Sequence, residues 1–218
     1  MVKRVDEALG RLTDSLESMG ILDNTVILFT TDHGNHFKTR NSEYKRSCHE
    51  SSIRIPMVLS GPGFTGGGRI NDLVSLVDMP PTLLHAAGLP VPPEMEGRSI
   101  LDGRKDWPDE VFIQISESQI GRAVRTKRWK YGVTAPEAED RKASDSAVYE
   151  EQYLYDLLHD PHEQVNLIGY KSHKEVSKKM SERLLTYIEK VEGKKPGINC
   201  SEEKPSGQRI VTPEEVVS

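Results

Sequence analysis

The run Thr25-Val-Ile-Leu-Phe-Thr-Thr31, closed by Asp32-His33-Gly34, constrains the fold more than any other stretch of this chain. Five of its first six residues are β-branched or aromatic, and four apolar residues stand in a row. That pattern predicts a strand buried on both faces, as in a parallel sheet covered by helices. In open α/β sheets ligands sit beyond the carboxyl ends of such strands. Asp32 and His33 stand at that end, and both residue types ligate metals. Gly34 then permits a sharp turn. A capping Asp beside a solvated His accounts for the triplet equally well.

What precedes the strand fits an α/β unit. Val2, Val5, Leu9, Leu12, Leu16 and Met19 recur at steps of three and four, which marks one face of an amphipathic helix. Gly20 is placed to stop it, and Asp23-Asn24 to make the turn. The chain therefore opens inside a repeating α/β pattern, and its start is expected to be a cut and not a natural domain edge.

Residues 34–52 have no apolar period and read as a long loop. His36, Lys38, Arg40, Lys45, Arg46 and His49 face only Glu43 and Glu50 there. The whole chain carries a net charge of −5, so this is a local basic cluster suited to an anionic ligand, or else a solvated loop. The net charge gives no general attraction to nucleic acid or anionic membrane. No apolar stretch approaches the roughly 18 residues of a membrane span. Cys48 and Cys200 form neither a disulfide framework nor a zinc spacing.

Farther on, Ile53–Leu59 reads as a strand with Pro56 near its start or at an edge. Asp78–Gly88 reads as a short helix with prolines in its first turn, and His85 as one of its packed or surface residues. A proline-rich connection over 89–110 leads to three candidate strands, 111–116, 123–133 and 152–157. Arg122, Arg125, Lys127, Arg128 and Lys130 read as a solvated strand face that blunts edge pairing, in preference to a basic edge. Residues 134–148 read as a surface loop. Val176, Met180, Leu184, Leu185, Ile188 and Val191 mark a closing amphipathic helix, and 193–218 a mobile polar tail.

These motifs, in this order, resemble the C-terminal portion of the sulfatase family within the alkaline-phosphatase-like superfamily, from about residue 3 to about residue 192. Gly20–Gly34 resembles the family's helix and metal strand, and Lys45-Arg-Ser-Cys-His-Glu-Ser-Ser-Ile-Arg-Ile-Pro56 its lysine segment. Gly61-Pro-Gly63, Asp78–Leu84 and Gly97-Arg-Ser99 follow. Arg125–Tyr131, Leu154–Leu157, Asp160-Pro-His-Glu163 and Asn166-Leu167 resemble its C-terminal sheet. The resemblance implies that Asp32 and His33 complete a divalent-metal site, usually calcium, with manganese the alternative. It implies that Lys45 holds the sulfate group and its leaving oxygen. His49 is placed to contact substrate or protonate the leaving group, or to pack. His36 and Arg40 lie in the loop of substrate contacts; Glu50 and Arg54 read as structural.

The family's nucleophile is a formylglycine made from Cys or Ser within Cys/Ser-x-Pro/Ala-x-Arg. Cys48 is followed by His-Glu-Ser-Ser and Cys200 by Ser-Glu-Glu-Lys, so neither fits. The chain is expected to hold part of an active site and to be inactive alone. The expected fold is α/β: a partial parallel or mixed sheet flanked by helices over 1–107, then a small antiparallel sheet packed with a helix over 108–192. The implied function is metal-dependent hydrolysis of a sulfate ester, with a sulfated small molecule or carbohydrate as partner. A phosphodiesterase or phosphonate hydrolase of the same superfamily, or a non-catalytic anion-binding module, is the alternative. An exported parent protein is expected.

Overall fold

The computed structural model describes residues 1–103, 105–136, 143–206 and 210–216. They divide into two compact units, one formed by 1–32 with 55–107 and the other by 33–54 with 108–218. The fold is mixed α/β, as expected. The polar segment 33–54, read from its sequence as continuing the first unit, packs with the second.

In the first unit, helix α1 spans Val2–Ser18 and buries none of its residues. The apolar run becomes a four-residue strand, β1 (Ile27–Thr30), half-buried throughout. Among the described residues its sheet has one other strand, β2 (Met57–Ser60), and the pairing is antiparallel, with Leu28 opposite Leu59. The parallel neighbours expected for β1 are thus not found among the described residues. Helix α2 (Met79–Ala86) carries Pro80 and Pro81 in its first turn, where a missing N–H costs nothing. Asp78 organises the unit's far end. Its carboxylate accepts from the backbone N–H of Ser75 at 2.8 Å and of Arg98 at 2.9 Å. His85 is an exposed helix residue, held by Ser99 Oγ at 3.0 Å and Asp102 Oδ1 at 2.9 Å.

The second unit is built on a five-stranded sheet of β3 (Glu110–Glu117), β4 (Gln119–Thr126), β5 (Trp129–Thr134), β6 (Val148–Asp156) and β7 (Gly197–Asn199), in that order. All neighbours are antiparallel except β6 and β7. The stretch read as one strand over 123–133 is a hairpin, broken at Lys127-Arg128. Helix α3 (Lys174–Glu192) presents Val176, Met180, Leu184 and Ile188, spaced by four, to Val124, Trp129, Tyr131 and Leu154. Gly193 ends it in the left-handed conformation that glycine adopts without strain.

Period-two alternation sends neighbouring side chains of β4 and β5 to opposite faces. Ile120, Val124, Trp129, Tyr131 and Val133 meet the helix, while Ala123 lies with Cys48, Tyr153 and Tyr155 on the other face. The basic residues obey the same rule, which overturns the reading of a solvated face for Arg122 and Lys130, while Lys127 is exposed. Arg122 and Lys130 are each 0% exposed. Arg122 donates to Glu192 Oε1 at 2.5 Å at the end of α3, whereas Lys130 and Arg125 reach Glu50 on the opposite side.

Two further differences concern the loops. Of the surface loop expected over 134–148, residues 137–142 lie outside the described residues, and Ser144 accepts a hydrogen bond from Arg122 Nη2 at 2.7 Å. The segment expected to be a mobile tail contributes β7 and sets Val211 (5% exposed) and Val216 (2%) into the core under α3. Two valines five positions apart give no period for a sequence pattern to register. Among the described residues no helix is long and apolar enough to cross a membrane.

Candidate functional site

The residues singled out from the sequence begin with Asp32. Asp32 is the last residue of the first unit's opening segment; it is exposed, and its Oδ1 accepts from Thr31 Oγ1 at 3.2 Å. His33 opens the segment that belongs to the second unit. Its Nδ1 lies 2.7 Å from the Gly34 carbonyl, which leaves Nε2 directed elsewhere. Its ring stands edge-on to Tyr44, with centroids 6.1 Å apart.

From Gly34 the segment is pinned by backbone contacts. Gly34 N–H donates to Ser52 C=O at 2.7 Å, and a Cβ on Gly34 would lie 2.2 Å from the Ser51 carbonyl oxygen. Glycine is therefore required for close approach of two backbones; its φ is not positive, so the sharp-turn reading gave the wrong reason. His36 N–H donates to Tyr44 C=O at 2.8 Å and closes a loop between them. Phe37 and Lys38 within it adopt positive φ angles of 52° and 60°, a conformation costly for residues with a side chain.

The Lys45 carbonyl accepts from the Ser47 N–H at 2.9 Å. Next to it, the Arg46 carbonyl accepts from Asn41 Nδ2 at 2.8 Å and from Gln119 Nε2 at 2.5 Å. Arg46 itself is bound by Glu43 and Glu117. The Lys45 ammonium, in contrast, has no carboxylate or carbonyl partner among the described residues, and rests 5.6 Å from the centroid of the Tyr44 ring. A fixed backbone bearing an uncommitted ammonium is suited to receive an anion.

Beneath this loop lies a buried ion cluster. Lys130 Nζ donates to the Cys48 carbonyl at 3.0 Å and to Glu50 Oε1 at 2.9 Å, and is paired with Glu163 as well. Glu163 Oε2 accepts from the Glu50 N–H at 2.9 Å. Burial alone would raise the Glu50 carboxyl, but Lys130 and Arg125 together hold it below the usual carboxylate range. Arg40, expected to meet substrate, instead donates to the carbonyls of Glu163 and His162, both at 2.8 Å. Its fork is used to tie the loop to 162–163.

His49 is also absorbed into the scaffold. It stacks on Tyr153 with centroids 4.7 Å apart, its Nε2 lies 3.3 Å from Tyr155 Oη, and its Nδ1 is bound to Ser47 Oγ. Burial first, then the charges of Arg40 and Lys130, push its pKa down to about 3. Both ring nitrogens are thus engaged within this packing. His36 is 2% exposed, and neither ring nitrogen has a hydrogen-bond partner among the described residues. Leaving such groups unpaired costs about 1–3 kcal/mol each.

Both lowered values bear on acid stability. His49 is neutral in the folded state and takes a proton on unfolding below its ordinary 6.5, so its contribution falls from there to about 3. Glu50 adds a second loss below its ordinary 4.5. The urea midpoint should therefore be lower at pH 5 than at pH 7, and lower again at pH 4. In His49→Gln the decline between pH 7 and pH 5 should be shallower.

Among the described residues no group of three or more His, Cys, Asp or Glu could hold a metal ion. Asp32 and His33 are two side chains of ligand type, fewer than the six to eight oxygens that calcium takes. Sequence reasoning overlooked Tyr44 and Lys130. Lys130 alternates with Trp129, Tyr131 and Val133, which puts it on the opposite face of the sheet, and alternation alone reads that face as solvated.

Comparison with known proteins places this arrangement. Residues 42–190 match the family described as N-sulphoglucosamine sulphohydrolase, C-terminal. The chain is 29% identical over 202 residues to arylsulfatase K of Bos taurus, covering 86% of this chain and 35% of that protein. It is 36% identical over 124 residues to the extracellular sulfatase SULF-1 homolog of Drosophila melanogaster, covering 53% and 11%. Among solved structures, BT4656 in complex with its substrate D-glucosamine-2-N,6-O-disulfate superposes with a TM-score of 0.71 at 25% identity, covering 89% of this chain and 40% of that one. The chain thus spans about a third of the length of the arylsulfatase K it matches. Since the family match runs through the lysine loop, the ion cluster beneath it and the sheet that carries both, this chain belongs to the sulfatase family, in the region of that family's C-terminal domain.

Proposed function

We propose that this protein takes part in hydrolysis of a sulfate ester on a sulfated carbohydrate, with Lys45 as the residue that holds the sulfate group. The observation that carries this reading is the uncommitted Lys45 ammonium on a backbone fixed from both sides. An ammonium there donates to a non-bridging sulfate oxygen and to the oxygen that leaves, where negative charge collects as the S–O bond breaks. Asp32 and His33 supply two ligands of a divalent cation, calcium by the hardness of the carboxylate and manganese by the imidazole. In this family the cation and a formylglycine supply the nucleophile and its activation, and neither Cys48 nor Cys200 of this chain stands in a formylglycine motif. His36, buried with both nitrogens unpaired, lines the same loop.

A sulfated sugar is the favoured ligand because the structural neighbour BT4656 is described with a disulfated glucosamine as its substrate. The word extracellular in the name of the Drosophila relative supports an exported parent protein. Calorimetric titration of the full 218-residue chain with D-glucosamine 2-N,6-O-disulfate, with calcium present, tests the assignment. Lys45→Ala should weaken binding by about tenfold or more, the worth of one charge-assisted hydrogen bond. Equal affinity of Lys45→Ala and the parent chain would remove Lys45 from the site.

A further inference from the structure

We propose that Tyr44 is the positioning residue of this site: its ring holds the Lys45 ammonium in place and offers a face on which the sugar ring of a sulfated pyranose stacks. The inference rests on the reading of Lys45 as the sulfate-holding residue and adds the element that would select a sugar over a bare anion.

The observation is a contrast among cations that lie over aromatic rings. The described residues show four such pairs. Arg122 over Tyr149 is bound to Glu192, Arg128 over Trp129 to Asp156, and Lys204 over Tyr170 to the Ile168 carbonyl. In those three the ring is an accessory to a polar partner. Lys45 has its ring alone.

Tyr44 is itself unusual. It is 44% exposed, its hydroxyl has no hydrogen-bond partner among the described residues, and its backbone is fixed because its carbonyl receives the His36 N–H. The His33 ring stands against it edge-on. One exposed aromatic thus touches both an ammonium free to bind an anion and the imidazole read as a metal ligand. A pyranose has apolar C–H faces and a polar rim, and an exposed aromatic face beside a cation matches a sulfated member of that class.

The test titrates the full chain with two probes, inorganic sulfate and D-glucosamine 2-N,6-O-disulfate, against Tyr44→Phe, Tyr44→Leu and Tyr44→Gln. Tyr44→Phe should bind both within about twofold of the parent, since the face is kept. The two non-aromatic variants should lose about threefold for sulfate, through the displaced ammonium, and about tenfold or more for the sugar, through the lost face as well. In a Lys45→Ala background Tyr44→Leu should cost sulfate binding nothing further. In the free protein, the Lys45 ε-methylene protons should be shifted upfield by the ring current in the parent and Tyr44→Phe, and not in Tyr44→Leu. If both non-aromatic variants bind both probes as well as the parent, the role of Tyr44 is overturned while that of Lys45 stands. If the parent chain binds neither probe, both fall together.

Discussion

Replacing Lys130 by methionine should lower the stability of the second unit by about 3–5 kcal/mol, the usual cost of breaking a buried ion pair by deleting one partner. Lys130 is wholly buried, and its ammonium serves Glu50, Glu163 and the Cys48 carbonyl together. Methionine keeps most of the stem volume, so lost packing is a small part of the effect. What remains is two carboxylates and a carbonyl facing a thioether. Glu50 retains Arg125, at 3.2 Å, but Glu163 retains only the distant fork of Arg40, at 3.9 Å, and the Glu50 N–H. Adding Glu163→Gln to Lys130→Met should therefore recover part of the loss, because the amide carries no charge to strand. Urea unfolding followed by tryptophan fluorescence reads both, since Trp129 adjoins the site of substitution. A loss below about 1 kcal/mol in Lys130→Met, the range of exposed pairs, would mean that the cluster is solvated after all.

Gly34→Ala should cost about 2–4 kcal/mol, from a steric clash and the loss of a backbone hydrogen bond. The added methyl would lie 2.2 Å from the Ser51 oxygen and 3.1 Å from its carbonyl carbon, both main-chain atoms that cannot swing aside. Relief requires parting Gly34 from the 50–53 turn and stretching the 2.7 Å bond to Ser52. That movement would drag the base of the Lys45 loop, so the variant should also bind sulfate more weakly than its stability alone accounts for. Gly10→Ala is the internal control. Nothing lies within 4 Å of a Cβ there, and in a helix interior alanine should stabilise by about 0.5–1 kcal/mol. Equal melting temperatures for the parent and Gly34→Ala would show that the two backbones are not in contact.

Much of the architecture could be read from local pattern, and what could not has a physical cause in each instance. The two long helices announced themselves because a stripe at steps of three and four is a property of the segment itself. β1 did not reveal its partner, because pairing depends on residues far along the chain, and an apolar run fits an antiparallel neighbour as well as a parallel one. Lys130 and Arg122 misled for a different reason. Charge predicts exposure only when no carboxylate is supplied from elsewhere, and Glu50, Glu163 and Glu192 come from three separate segments. Within the candidate site, resemblance singled out Asp32, His33 and Lys45. It said nothing of Tyr44, whose part rests on geometry between neighbours in space. Arg40 and His49 lie in the right loop, yet their side chains are occupied by the scaffold.

The closing stretch of the chain has a practical bearing. An investigator trimming the protein by hydropathy would stop just after α3, at Glu192. That shortened version would strip β7 from the border of β6 and withdraw the Val211 and Val216 side chains from beneath the helix. It would also take away the Glu215 carbonyl that receives the Trp129 indole N–H at 3.4 Å. The polar stretch is a clasp on the hydrophobic interior, and expression designs should keep it.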